Sequence, residues 1–251
     1  MSALTPGDFV HAELRQFERR VARSLDVIAD AATRGRVGVS YSGGKDSTVM
    51  LDLVRRVVPD APAVFFDSGT ELRSTRALVE HYGVETAHPR ISYREMARYS
   101  GWFGYPDPVD AGCPFRVKAI LVDEPSEAFV VRHRLSVICM GLRAEESRGR
   151  LENARIRGEI YRGSDRTWYC IPLAWWTVED VWAYIASRGL RYSPAYDVLS
   201  EKDIPREAQR IGMLLDKQAE SLGSFAHLRW IEPDTWAALA EEFPAIRQVS
   251  G

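Results

Sequence analysis

Apolar residues recur along this chain with two periods. From Phe9 to Ala32 they fall at helical spacing (Phe9, Val10, Leu14, Phe17, Val21, Leu25, Ile28) with Arg and Glu between them, which predicts one amphipathic helix. Such a helix packs over a sheet or against a partner subunit, so a homo-oligomer stays open. Short apolar runs follow at Val37 to Tyr41, Ala63 to Phe66, Val84 to His88, Leu135 to Met140 and Trp168 to Leu173, each of strand length. Helical patterns separate the first four runs, at Thr48 to Val58, at Glu71 to Tyr82, and at Tyr93 to Ala97 followed by Pro114 to Val131. Strands alternating with helices predict parallel βαβ units with right-handed crossovers. The expected fold is therefore α/β: an open, mostly parallel five-stranded sheet with helices on both faces. Pro205 to Leu222 and Pro233 to Phe243 also read as helices. The expected division is an α/β domain with the N-terminal helix at 1–197 and a C-terminal helical extension at 198–251.

Ligands of open parallel sheets sit at the carboxyl ends of the strands. The first such end is Ser42-Gly43-Gly44-Lys45-Asp46-Ser47, between a strand ending in Ser40-Tyr41 and a helix. Glycines let the backbone bend, the first amides of the helix stay unpaired, and Ser42 and Ser47 add hydroxyl donors, so phosphate is the natural guest. The spacing is not that of the Walker loop, which places four residues between its first glycine and Gly-Lys-Ser/Thr. Ser40, Ser42, Gly43, Gly44, Asp46 and Ser47 are candidate nucleotide ligands, with Lys45 and Asp46 as catalytic candidates.

Asp67-Ser68-Gly69-Thr70-Glu71 closes the second strand, and Asp67 and Ser68 are candidates for the adenine or ribose side. A plain turn that caps the next helix explains the same residues. Gly141-Leu142-Arg143-Ala144-Glu145-Glu146-Ser147-Arg148-Gly149-Arg150 follows the fourth strand. There Gly141 allows close approach of a ribose or α-phosphate, Arg143 and Arg150 can grip oxyanions, and Glu146 can orient one of them. Seven arginines face five acids between Arg143 and Arg166, which suits a phosphate-facing or nucleic-acid-facing patch as well as plain solubility. Thr177 with Asp180 reads as a capping box, and Val178, Val181, Trp182 and Ile185 form one apolar face. Trp102, Phe103 and Tyr105 suit a lid or a flap packed on the protein.

Composition narrows the class without naming the chemistry. With 251 residues and 45% hydrophobic content, the chain can bury a full core. The formal net charge is −2, and the only lysines are Lys45, Lys118, Lys202 and Lys217, so the basic content is almost all arginine. No run approaches a membrane span, and the N-terminus lacks the layout of a signal peptide, so a soluble, cytoplasmic protein with no membrane partner is expected. Three widely spaced cysteines do not make a disulfide framework.

Three segments together resemble the phosphoadenosine-phosphosulfate (PAPS) reductase family of the PP-loop, adenine nucleotide α-hydrolase-like superfamily. They are Ser-Gly-Gly-x-Asp-Ser at Ser42, Gly-x-Arg-x-x-Glu-Ser-x-x-Arg at Gly141, and the run from Pro172-Leu173 through Trp176-Thr177, Asp180-Val181-Trp182 and Tyr184-Ile185 to Pro194-Ala195-Tyr196-Asp197. The resemblance spans Ser40 to Asp197. It implies a site for ATP or a related adenine nucleotide. Where the reductases carry Glu-Cys-Gly-x-His, this chain has no cysteine after Cys170 and offers only His227. The resemblance therefore keeps the nucleotide site and loses the reductive chemistry.

The remaining chemistry of the superfamily is adenylyl activation by an ATP pyrophosphatase, with Mg²⁺ assisting. Lys45 and Arg143 would steady developing charge, and Asp46 would fix the loop or reach the metal through water. The branch implied is the ATP pyrophosphatase of DNA phosphorothioation, with DNA, a cysteine desulfurase and other sulfur-modification proteins as partners. A sulfonucleotide enzyme without its own catalytic cysteine and an inactive nucleotide-binding subunit are the alternatives. Cys113, Cys139 and Cys170 suit a three-thiolate iron–sulfur cluster if they face one rim, and small buried hydrophobes otherwise.

Overall fold

The computed structural model describes residues 2–100, 119–212, 224–244 and 247. Trp102, Phe103, Tyr105 and Cys113, with the expectations attached to them, lie outside the described residues.

The N-terminal segment is helical as expected, but it forms two helices, α1 (Pro6–Ala12) and α2 (Arg15–Ala32), and of the expected apolar face Phe17 and Ile28 are buried while Phe9, Val10 and Leu14 are exposed. Leu14, extended at ψ 131°, separates them and lets α1 turn away to pack on the later helix α8 (Val178–Arg188). Phe17 and Ile28 keep the helical phase within α2 alone, and the spacing of apolar residues does not register the break at Leu14. The sheet is built from β1 (Val37–Tyr41), β2 (Ala63–Phe66), β3 (Glu85–Ala87), β4 (Val137–Met140), β5 (Ile160–Arg162) and β6 (Trp168–Cys170). Their spatial order is β3-β2-β1-β4-β6-β5. Five strands are parallel and match the five apolar runs. The sixth, β5, pairs antiparallel with β6, Tyr161 opposite Tyr169. A three-residue edge strand with exposed Arg162 carries too little apolar pattern to be read in advance.

Helices α3 (Lys45–Val57), α4 (Arg73–His81), α5 (Tyr93–Ser100), α6 (Glu124–His133) and α7 (Arg148–Arg157) fill the crossovers, and a π-helical turn, Ala119–Asp123, leads into α6. The core splits by strand alternation. Val37, Val39, Tyr41, Phe65, Cys139 and Cys170 face one side with Phe17 and Ile28 of α2 and Val49, Leu53 and Val54 of α3. Val64 and Ile138 face the other side, against Phe129 of α6 and Leu135. Leu199 of α9 (Ala195–Glu201), Leu228 of α10 (Ser224–Ile231) and Leu239 of α11 (Pro233–Glu242) join the first of these clusters. Among the described residues, no helix is long and apolar enough to cross a membrane.

Candidate functional site

The turn after β1 is held by its own side chains. Gly43 takes φ +73°, and a Cβ there would lie 2.5 Å from the Thr75 methyl group, so both backbone and space demand glycine. Gly44 caps α3 in extended geometry, and its carbonyl accepts from Thr48 N, from the Ser47 hydroxyl (2.9 Å) and from the Thr48 hydroxyl. The Ser42 hydroxyl donates to Ser47 Oγ at 3.0 Å. The Lys45 amide is taken by the Tyr196 hydroxyl at 3.0 Å. The next amides, of Asp46 and Ser47, belong to the first turn, which has no intrahelical acceptors. Ser40 is half-buried at the end of β1, between Val64 and Met140.

Lys45 and Arg143 are not displayed as free cations. Lys45 is 4% exposed, with Nζ on Asp46 Oδ2 (3.1 Å) and 5.5 Å from the Tyr196 ring centre. Arg143 is 2% exposed, and its guanidinium reaches both Asp46 Oδ1 and the Glu145 carboxylate. Burial pushes the Asp46 carboxyl up, but the charges of Lys45 and Arg143 outweigh it and hold the group below the usual carboxylate range. Asp46 is thus a half-buried anion clamped by two cations. An incoming phosphate competes with it for both.

Gly141 has a different role from the one read in sequence. A Cβ there would sit 2.8 Å from the Asp46 carbonyl and 2.9 Å from Ser47 N, so the close approach it permits is that of the loop backbone itself. The segment after it forms a 3-10 turn at Ala144–Glu146 and then α7, capped by the Ser147 hydroxyl on Arg150 N (3.3 Å). Glu146 does orient an arginine: its carboxylate pairs with Arg150, and it also holds the Arg143 amide (2.9 Å) and faces Arg210 at 3.4 Å.

At the end of β2, Asp67 receives Arg76 through Nε (2.8 Å) and a terminal nitrogen (3.0 Å) and caps the Gly69 amide at 2.9 Å. Burial raises its carboxyl, and the Arg76 bond and Gly69 amide bring it below the ordinary value. Ser68 is spent on Glu71 (2.9 Å). The side chains of Asp67 and Ser68 therefore shape the turn, and backbone groups are what it can offer a base.

Cys139 and Cys170 do not reach a rim. They are cross-strand neighbours, fully buried in the core beneath the sheet. The hydrogen bond that the Cys170 thiol gives to Cys139, together with burial, pushes that thiol well above its ordinary value, the opposite of what a thiolate ligand needs. Among the described residues, no group of three His, Cys, Asp or Glu is placed to hold a metal. The arginine-rich stretch lies on α7 and the β5–β6 edge, where Arg157 stands over Tyr161 (4.8 Å) and Arg34 and Arg162 over Trp168 (5.1 and 5.9 Å). Charged, short edge strands of this kind also block edge-to-edge association.

Tyr196, Thr75, Arg76 and Arg210 enter the site without having been singled out from the sequence. Tyr196 stood in a matched motif but reads there as a packing residue, and only the fold carries it 151 positions back to Lys45. Thr75 Oγ1 is buried beside Gly43, and among the described residues it has no hydrogen-bond partner.

A sequence model of the phosphoadenosine phosphosulfate reductase domain matches residues 36–212. The adenosine 5'-phosphosulfate reductase of Halalkalibacterium halodurans is 28% identical over 186 residues, covering 69% of this chain and 75% of that protein. The phosphoadenosine 5'-phosphosulfate reductase of Gloeobacter violaceus is 27% identical over 190 residues, 73% of this chain and 75% of that one. The crystal structure of phosphoadenylyl-sulfate reductase from Candida auris, a phosphate complex, superimposes with a TM-score of 0.53 at 17% identity, covering 72% of this chain and 89% of that one, and so shares the fold.

Proposed function

This chain belongs to the phosphoadenosine phosphosulfate reductase domain family, and on that premise we propose that it is an ATP pyrophosphatase that activates an acceptor for sulfur incorporation. The observation that carries this reading is the combination of a phosphate cradle at Ser42–Ser47 with thiols, Cys139 and Cys170, sealed inside the sheet. Sulfonucleotide reduction needs a thiolate at the nucleotide, and neither of these two can supply it. Adenylyl transfer needs only positioning and charge neutralisation.

An acceptor oxygen attacks the α-phosphorus of ATP, the bond to the bridging oxygen breaks, and pyrophosphate leaves. A sulfur nucleophile from a partner such as a cysteine desulfurase then displaces AMP. The Asp46 and Ser47 amides and the Ser42 hydroxyl hold the leaving pyrophosphate. Lys45 turns from Asp46 toward the phosphates, and Arg143 is the second cation within reach. Mg²⁺ bound to the substrate phosphates would supply further charge neutralisation, and Asp46, once Lys45 has turned away, is the carboxylate that would help to hold it. In the phosphorothioation branch the acceptor is DNA.

The test is anaerobic incubation with Mg²⁺ and ATP, resolving AMP plus pyrophosphate from ADP plus phosphate. Cleavage between the α and β phosphates is expected, and Ser47→Ala should lower it by about a hundredfold or more. The reductase relatives favour a second reading, a sulfonucleotide enzyme whose thiol comes from elsewhere. Tight binding of phosphoadenosine phosphosulfate with no ATP cleavage would select it.

A further inference from the structure

A cavity of about 230 Å³ opens beside the loop, between the end of β4, the first turns of α7 and the chain leaving β6. Its floor is apolar and buried: Ala154, Ile171 and Ala174 are each 3% exposed or less. Gly149 and Asn153 line its α7 wall, and Arg143, whose Nε lies on Asp46, stands between it and the phosphate cradle.

Gly149 is the informative residue. It is the second residue of α7 and is exposed, so no side chain of its own covers the cavity mouth. Its backbone is not left-handed, and a Cβ there would meet nothing within 4 Å. Its lack of a side chain leaves the cavity mouth unobstructed. Asn153 is half-buried at the same wall, and among the described residues its amide has no hydrogen-bond partner. A primary amide presents a donor and an acceptor side by side, the complement of the edge of a nucleobase. The size agrees: a cavity of about 150 Å³ takes a benzene ring.

We propose that this cavity is a nucleobase site, separate from the phosphate cradle, that seats the base of the acceptor. The word acceptor rests on the adenylyl-transfer reading; the base site itself does not. Sheet topology separates it from the base of the nucleotide. The strand order reverses between β1 and β4, which centres the phosphates there. The Asp67–Glu71 turn lies on the β2 side of that point and this cavity on the β4–β6 side, behind Arg143. Chemically the ligand is a planar N-heterocycle with an amide-type edge, either a free nucleoside or a base within a single-stranded nucleic acid.

Saturation-transfer NMR tests this with the four deoxynucleosides at millimolar concentration, with and without saturating Mg²⁺ and AMPPNP, on wild type, Gly149→Leu and Asn153→Ala. The same titrations with a short unstructured oligodeoxynucleotide form a second arm. At least one nucleoside should bind in the presence of AMPPNP, and Gly149→Leu should weaken it about tenfold or more while AMPPNP binding stays unchanged. Leucine is a better helix former than glycine, so the melting temperature of that variant should not fall. A tenfold tighter oligonucleotide would identify nucleic acid as the source, and equal affinity a free nucleoside. Displacement of the nucleoside by AMPPNP would overturn the proposal, because the cavity would then hold the nucleotide's own base. Binding unchanged in Gly149→Leu, or no binding of nucleoside or oligonucleotide, would overturn it as well. Failure of AMPPNP to bind wild type counts against the pyrophosphatase reading instead, and the nucleoside titration of Gly149→Leu still decides the base site.

Discussion

Gly43 and Gly141 are constrained by different neighbours, and their variants should fail differently. Gly43→Ala meets a left-handed backbone and the Thr75 methyl group, so it should cost about 1–2 kcal/mol of stability, read from urea unfolding. Gly141→Ala pushes against the backbone of Asp46 and Ser47, so nucleotide binding should be lost while circular dichroism stays native; retained binding would show that the loop can yield. Tyr196→Phe removes the acceptor of the Lys45 amide, with an expected loss of about 1 kcal/mol. Gly43 was legible in the sequence because a turn between strand and helix requires it, whereas the demand on Gly141 comes from the loop backbone across the sheet and carries no local signal. Tyr196 was not, since its partner lies across the fold.

Two elements are fastened by carboxylates from distant parts of the chain. Glu232 accepts from the amides of Arg73 (2.7 Å) and Ser74 (3.5 Å), so the junction of α10 and α11 caps α4 just after the Asp67–Glu71 turn. Glu232→Ala should therefore cost about 1 kcal/mol, as the loss of a helix cap does. Asp180 closes the α8 capping box with Thr177 and also binds His11 (2.9 Å) and Arg20. Burial raises its carboxyl, but His11, the Thr177 amide and hydroxyl, and Arg20 together hold it below its ordinary value. A lowered folded-state value means stability that is present above the unfolded value near 4 and is lost as pH falls through the folded one. Asp8, Asp46 and Asp67 carry the same sign. Urea midpoints measured from pH 6 to pH 3 should fall in wild type, with a shallower acid limb in Asp180→Asn. Thr177 and Asp180 announce their cap locally, whereas His11 and Arg20 reach it only because Leu14 breaks the N-terminal helix in two.

For the molecule as a whole, a ligand of the folded state raises its melting temperature. Mg²⁺ and ATP at a hundred times the dissociation constant should raise it by roughly 5–10 °C in a chain of this size, and Ser47→Ala should abolish the shift. A larger shift with phosphoadenosine phosphosulfate would reverse the assigned nucleotide preference. The alternating periods from Val37 to Cys170, the turn at Ser42–Ser47 and the box at Thr177 are local patterns, and local backbone and solvation preferences suffice to determine them. The parallel sheet, the loop at its carboxyl edge and the helix after it were therefore set by sequence alone. Tertiary structure decided the rest: that β5 adds an antiparallel edge, that Cys139 and Cys170 point inward, and that Arg143 is spent on Asp46. The physical reason is that burial and ion pairing depend on what other strands and helices bring to a side chain, and residues 97 positions apart carry no local signal of each other.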